Sequence, residues 1–355
     1  MKILLIGASG FIGAYLVRRL ARDGHELAVF HRGKATVSFP GSVQHIFGDR
    51  NALSEHRETF RKFSPDVAID LILSNRRQAR TLMSTFRGLA RRALALSSAD
   101  VYRACGISHG FESGPLESLP LTEDSNLRTK RNTYGPEVLA QLRSVFSWLD
   151  EEYDKIPVEE TVMNDRELPG TVLRLPMVYG PRDRLHRLFP HLKRMDDQRP
   201  AILLQEDVAR WRGPRGYVEN IAAAVASAAV SPHAAGRIYN IAEPSSYAEL
   251  DWVQRIGEAV SWKGRVVPVA KDLTPQHLRV PYNSEQHWIM SSDRIRKELG
   301  FSEVVDESTG LERTIAWERA NPPSWNAAQF DYAAEDEVIE AMKEHIEADR
   351  SPRAS

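Results

Sequence analysis

The chain has 355 residues, a length that suggests about two folding units or one large unit with a lobe. Its 47 Lys and Arg against 48 Asp and Glu argue against a main role in tracking nucleic-acid phosphates, which takes a net or clustered basic surplus. Hydrophobic residues at 42% and charged residues at 27% exclude disorder as the dominant state, and the one cysteine, Cys105, excludes an intramolecular disulfide.

Ile3-Leu4-Leu5-Ile6 is an all-apolar run, the pattern of a strand buried on both faces. Gly7 to Gly13 interrupts it, and helical periodicity follows at Phe11, Ile12, Tyr15, Leu16, Arg19 and Leu20. Gly24 ends that helix and Glu26 to Phe30 is a second strand, which completes a unit of the length of a βαβ motif. Further strands are predicted at Gln44–Phe47, Val67–Leu73, Ala93–Ser97 and Thr171–Leu175, separated by segments rich in helix formers. Such alternation predicts an α/β protein with a parallel sheet covered on both faces.

After Pro181 the elements become smaller. A helix is expected over Leu185–Met195, strands and loops over 198–220, and an Ala-rich helix over Ile221–Val230. A strand follows at Ile238–Ile241 and a helix at Tyr247–Val260, with Ser246 as its start. The last 25 residues hold eight acids and three bases, which predicts an exposed helix with a frayed Ser/Pro/Arg end. Met1-Lys2 runs straight into a strand without the regions of a signal peptide, and no stretch approaches the ~20 apolar residues of a membrane span. A soluble cytoplasmic protein with no membrane partner is expected, and no metal. Cys105 has no neighbour in the sequence that marks an activated thiol.

The interrupting segment, Gly7-Ala8-Ser9-Gly10-Phe11-Ile12-Gly13, has GxxGxxG spacing between a strand and a helix. Small residues there let a pyrophosphate approach the backbone, and the helix start offers N–H groups and a positive dipole end. Ser9, Phe11 and Ile12 are therefore expected to contact the cofactor along with the three glycines. The second strand ends Val29-Phe30-His31-Arg32-Gly33 without the acid that would hold an NAD ribose. Arg32 is read as a receiver of a 2′-phosphate, which favours NADP over NAD; the alternative is a solvated arginine. Asp49, followed by Arg50, is read as a partner of the adenine amino group, a helix cap, or both.

From these residues onward the chain resembles the extended short-chain dehydrogenase/reductases, or NAD-dependent epimerase/dehydratases. The resemblance runs through Gly7–Gly13, Gly48-Asp49, Pro65-Asp66-Val67, Ser97–Tyr102 and Leu173–Pro181. It continues in Arg215–Ala222, Tyr239-Asn240-Ile241, Lys297–Phe301, Gly310-Leu311 and Thr314–Trp317. It implies a Rossmann doubly wound sheet over residues 1–180, with a long loop or lid at about 103–135. It also implies a smaller α+β substrate lobe over 181–330, interleaved with the first domain, and leaves 331–355 as an acidic tail. The implied activity is that of an NAD(P)-dependent oxidoreductase, epimerase or dehydratase on a small hydroxyl- or carbonyl-bearing substrate, and a homodimer is implied by analogy.

In such enzymes a Ser or Thr, a Tyr and a Lys act on the substrate hydroxyl, with the Lys lowering the Tyr pKa. Ser98 sits at the Ser/Thr position, or is a core hydroxyl; Lys155 resembles the helix lysine, or is a surface one. The Tyr-x-x-x-Lys spacing is absent: Glu151 lies four residues before Lys155, and Tyr153 only two. On an ideal helix two residues place Tyr153 about 200° away. A local irregularity that turns Tyr153 inward, a substitute such as Tyr134, and a site without tyrosine all stay open. The resemblance further implies that Leu71 (with Ile72 and Leu73), Ser97, Pro176 and Met177 flank the cofactor. Tyr102, Arg182, His186, Gln205 and Arg215 then face the substrate. Met177, where sugar-nucleotide members carry Asn, weakens a nucleotide-sugar assignment.

Two further readings are carried. One is a non-catalytic NADP(H) sensor. The other is an RNA-associated member similar to chloroplast stem-loop-binding relatives, resting on Arg76, Arg77, Arg80, Arg87, Arg91 and Arg92.

Overall fold

The computed structural model describes residues 1–33, 38–131 and 134–350, with side chains through 342. Eleven strands are present among them: β1 (Lys2–Ile6), β2 (Glu26–His31), β3 (Gln44–Phe47), β4 (Val67–Asp70), β5 (Arg92–Ser98), β6 (Gly170–Leu175), β7 (Met177–Tyr179), β8 (Ala201–Gln205), β9 (Arg215–Tyr217), β10 (Arg237–Asn240) and β11 (Arg265–Val269). The helices that matter for the site are α1 (Phe11–Arg22), α2 (Arg57–Phe63), α3 (Arg76–Phe86), α4 (Arg103–Ser108), α5 (Pro136–Val145) and α6 (Lys155–Met163). They are followed by α7 (Phe189–Asp196), α8 (Glu206–Arg210), α9 (Val218–Val230), α10 (Glu249–Ala259), α11 (Asp293–Leu299), α12 (Glu307–Ala320) and α13 (Tyr332–Arg350).

Seven strands form one parallel sheet in the order β10-β6-β5-β4-β1-β2-β3. Alternate residues of β1 enter opposite cores, as a period of two dictates. Ile3 and Leu5 pack with α1 and the Ala-rich α9, whereas Leu4 and Ile6 pack with Phe60 of α2, Leu82 and Phe86 of α3, and Val158 and Val162 of α6. The chain runs outward from β1 to β3, then crosses back to β4. That reversal opens a crevice beyond the carboxyl ends of β1 and β4, where α/β sheets bind ligands.

The second region is built from two-stranded parallel sheets, β8 with β11 and β7 with β9, while β10 returns to the main sheet. Two expectations change there. The helix expected from Leu185 starts at Phe189, because His186 adopts a left-handed φ of +47° and Pro190 suits a first turn. The acidic tail is a docked helix over its first half: Glu335 is buried against Arg194, and Ile339 joins Ala201, Leu203 and Val269 in a small core. The Ser/Pro/Arg end expected to fray, residues 351–355, lies outside the described residues.

A buried polar brace joins the end of the sheet to α6. Arg174 of β6 donates Nε and Nη2 to Glu159 at 3.0 and 2.7 Å, and Ser97 Oγ of β5 donates to Glu159 at 2.5 Å. Arg174 also donates to the Tyr102 hydroxyl and the Glu123 carbonyl, and Tyr102 donates to Asn240 Oδ1 at 2.6 Å. Removing one partner of a buried pair leaves an uncompensated charge. Glu159→Gln is therefore expected to lower unfolding free energy by about 3–5 kcal/mol in urea denaturation. Glu160→Gln next to it, which loses only exposed pairs with Arg76 and Arg131, is expected to cost less than about 1 kcal/mol.

Candidate functional site

The glycine turn leaves β1 with Gly7 at φ +78°, where a Cβ would lie 2.6 Å from Ile72. At Gly13 a Cβ would lie 2.4 Å from Ala8, so the helix closes on its own turn only without one. Gly10 is different: a Cβ there would meet only the Gly7 carbonyl oxygen, at 3.5 Å. The protein's own packing does not require glycine at this position, and Gly10 faces a cavity of about 850 Å³. It is also the N-cap of α1, which has neither a capping side chain nor an acid in its first turn. The positive helix end thus meets the cavity without an acid in its own first turn.

Of the residues expected to hold a cofactor, Gly7, Ser9, Gly10, Phe11, Ile12, Gly13, Arg32, Asp49, Arg50 and Leu71 line this cavity. Asp49 is exposed and caps the following turn by accepting from the Asn51 N–H at 2.8 Å. Arg50 is buried, pairs with Asp70 at 2.7 Å and donates to the Gln78 carbonyl. Its Nη1 is buried without a partner among the described residues. Arg32 is exposed and has a long contact, 3.4 Å, with Ser147 Oγ. A backbone cradle that a Cβ would fill, an unpartnered guanidinium nitrogen and an exposed arginine at the end of β2 together fit an anionic dinucleotide.

The opposite wall was not foreseen. Arg143, Arg184 and the stretch Phe146 to Glu152 line it, strapped over the crevice. Ser74 Oγ donates to the Trp148 carbonyl and accepts from the Asp150 N–H, while Arg77 pairs with Asp150 at 3.1 Å. The one signal in the sequence is Phe146-Ser147-Trp148-Leu149, an aromatic and apolar run just before the acidic Asp150-Glu151-Glu152. The segment expected to be a lid does something else. Over its described part, 103–131, Arg103 pairs with Glu117, Leu121 bonds to Ile289 and Ser291, and buried Arg128 reaches Asp154 at 3.4 Å. Residues 132 and 133 of that range lie outside the described residues.

Tyr153 and Lys155 come together beside Trp148, and Ser98 ends β5; none of the three is among the residues lining the cavity. Asp154 caps α6 by accepting from the Ile156 N–H, so the helix begins at Lys155 and Tyr153 precedes it. The spacing of an ideal helix therefore does not apply, and Tyr153 turns inward beside the lysine. Lys155 Nζ lies 5.4 Å from the Trp148 ring and 5.7 Å from the Tyr153 ring. It donates to the carbonyls of Leu73 (2.5 Å) and Leu96 (3.0 Å). Burial lowers the Lys155 pKa to about 8, against the opposing pull of Asp100, Asp70 and Glu159. Tyr153 and Tyr134 both donate to Asp100 Oδ2, at 3.1 and 3.2 Å. Burial and the Asp100 charge push both phenols well above 10, the reverse of the lowering that the resemblance implied. Ser98 Oγ accepts from the Asp100 N–H at 3.2 Å.

Several expected contacts are corrected by their partners. Ser97 and Tyr102 belong to the buried brace, so their side-chain oxygens are engaged there. Arg215 is buried in an ion pair with Glu249, its guanidinium 4.8 Å from the Trp252 ring centre. His186 pairs with buried Glu318 at 2.7 Å and stacks on Trp317. Gln205 donates to Asp207 at 2.7 Å. Pro176, Met177 and Arg182 are not among the residues lining the cavity; Met177 instead donates its N–H to the Pro214 carbonyl, and its Cε packs by Gly213. In the basic segment, Arg76, Arg77, Arg87 and Arg91 are paired with Glu160, Asp150, Asp165 and Asp66, and Arg92 donates to the carbonyls of Ala228, Ala229 and Ser231. Cys105 is buried and its thiol is pushed up by burial. Among the described residues no helix is long and apolar enough to cross a membrane, and no group of His, Cys, Asp and Glu is arranged for a metal.

Residues 3–242 match the family model described as the NAD dependent epimerase/dehydratase family. The 2′-dehydrokanamycin reductase of Streptomyces kanamyceticus is 22% identical over 285 residues, 78% of this chain and 72% of that protein. Chloroplast stem-loop binding protein of 41 kDa b from Arabidopsis thaliana is 28% identical over 116 residues, 28% of this chain and 30% of that protein. The UDP-glucuronic acid 4-epimerase from Bacillus cereus, solved with UDP-glucuronic acid and NAD, has the same fold: TM-score 0.64 at 17% identity, covering 90% of this chain and 99% of that one. With the doubly wound sheet and the glycine turn at its switch point, the chain belongs to the NAD-dependent epimerase/dehydratase family.

Proposed function

We propose that this protein is an NADP(H)-preferring oxidoreductase or epimerase that acts on a hydroxyl or carbonyl group of a small, sugar-like molecule. The observation that carries the reading is Gly10, a glycine that the protein's own packing does not require and that lines the cavity. In this reading the Gly7–Gly13 backbone holds the pyrophosphate, Arg32 the 2′-phosphate and Asp49 the adenine, with Arg50 Nη1 facing the same anion and Leu71 lining the cofactor. A bound nicotinamide would supply hydride exchange with a substrate carbon. Ser98 would bind the substrate oxygen, Tyr153 would hold its proton, and Lys155 would fix the ends of β4 and β5 around it. Buried Lys155, with its pKa lowered to about 8, still carries most of its charge at neutral pH. A sugar-like substrate is supported by the relative named as a reductase of 2′-dehydrokanamycin and by the neighbour solved with UDP-glucuronic acid.

A second reading, a dinucleotide sensor without turnover, is favoured by the two phenols, whose protons rest on Asp100 instead of being loosened. Hydride exchange separates the two. Enzyme incubated with 4-deuterated NADPH and a panel of keto-sugars passes deuterium to product in the first reading and retains it in the second.

Two binding experiments test the cofactor assignment. Gly10→Leu is expected to fold with a near-unchanged melting temperature yet to weaken NADPH about tenfold or more, read by nucleotide fluorescence. Arg32→Ala is expected to weaken NADPH about 10- to 100-fold, the range of one lost charge-assisted hydrogen bond, while leaving NADH unchanged. Equal loss for both nucleotides would remove the 2′-phosphate from the reading.

A further inference from the structure

Asp100 follows β5 in a short turn and is 7% exposed. Charged and titratable groups face it from every side. Arg128 donates Nε to its main-chain carbonyl at 2.5 Å, and points Nη2 at Asp154 rather than at the carboxylate. Lys155 interacts with Asp100 through its charge, but its ammonium is bonded to the carbonyls of Leu73 and Leu96. Cys105 adds a buried thiol, and His109 lies within reach of the same charge while its Nδ1 contacts the Cys105 carbonyl at 2.9 Å. Among the described residues the only donors to the carboxylate are the phenols of Tyr153 and Tyr134, both on Oδ2. Oδ1 is buried with no partner among the described residues. An unmet carboxylate oxygen in such a place is costly. The two tyrosines, whose rings are 5.7 Å apart, are half-buried and cover the Oδ2 side of Asp100.

We infer that Asp100 is the proton acceptor of this site: it takes, through Tyr153, the proton that a substrate hydroxyl gives up, with Tyr134 steadying the carboxylate. The step balances as an acid–base exchange. The substrate O–H bond breaks and a new O–H forms on Tyr153, while the former Tyr153 O–H breaks and the Asp100 carboxyl O–H forms. The substrate becomes an alkoxide, Asp100 becomes neutral, and Tyr153 is a neutral phenol before and after. Lys155 then has no phenolate to stabilise, in keeping with its bonds to two carbonyls. Burial raises the Asp100 pKa, opposed by Arg128 and Lys155, which moves the carboxyl toward the range a base needs. Asp100 is a positioning residue in this scheme, since it acts through Tyr153. The inference rests on the reading of Tyr153 as the group that meets the substrate.

The experiment follows the phenol protons directly in the full chain labelled with ¹³Cζ-tyrosine. Tyr153→Phe and Tyr134→Phe assign the two resonances. In the wild type the Tyr153 signal is expected to shift once when Asp100 ionises and to show no tyrosinate shift up to pH 11. In Asp100→Asn the first shift is expected to vanish and the tyrosinate shift to appear, moved down by at least one pH unit, a tenfold change in acidity. Should Asp100→Asn fail to fold, Tyr134→Phe removes one donor from Oδ2 and is expected to move the Asp100 step to higher pH. A Tyr153 signal indifferent to both changes overturns the inference. NADPH titration of Asp100→Asn keeps the two readings apart. Wild-type affinity is expected there, and loss of binding in both proteins defeats the cofactor reading while leaving the Asp100–Tyr153 pair intact.

Discussion

The cleft is organised around one ammonium group and two carbonyls. Leu73 follows β4 and Leu96 lies in β5, and Lys155 Nζ donates to both main-chain oxygens. Those oxygens project from strand ends where the sheet has run out of neighbouring N–H groups, so a buried donor there satisfies acceptors that water does not reach. The same contact fixes where α6 begins, since Lys155 is its first residue and Asp154 its cap. It also brings the Trp148 and Tyr153 rings against one charge. Without it the strap over the cavity and the tyrosine pair would have no common anchor.

Elements whose cause is local were legible in the sequence. Gln44–Phe47 and the runs around β1, β5 and β6 are apolar or alternating over four to seven residues, and they appear within a residue or so of the expected bounds. The glycine turn is local in the same sense, because φ at Gly7 and the crowding at Gly13 are set within a dozen residues. Tyr153 shows the opposite case. Its distance from Lys155 was measured along a helix, but a cap at Asp154 moves it off the helix, and two residues of extended approach place it beside the lysine instead of behind it. The chemistry of the position was visible and its geometry was not, because helix starts depend on a side chain bonding one or two residues ahead.

Residues expected in the site turn out to have distant partners within the protein. Tyr102 finds Asn240 at a separation of 138 residues, His186 finds Glu318 at 132, and Arg215 finds Glu249 at 34. Each is a polar group in the second half of a Rossmann unit or its lobe, where burial is heavy, and a buried charge is retained only with a partner. A sequence displays the charge and hides the partner. Phe146 to Glu152 was hidden for the converse reason. Nothing in its own pattern shows that Ser74 and Arg77, more than seventy residues earlier, hold it across the crevice.

The arrangement of charge divides the cleft into two chemical environments. Along the cavity the helix end, Arg32 and the free nitrogen of Arg50 present positive potential to whatever phosphate enters. Beyond Trp148 the half-buried phenols of Tyr153 and Tyr134 donate to Asp100, and the positive charge of Lys155 is turned onto carbonyls. The division also accounts for Met177 at a position where a sugar-nucleotide enzyme would gain from a polar side chain: its thioether packs by Gly213 and its N–H bonds to Pro214. Nothing at that position selects for a second phosphate.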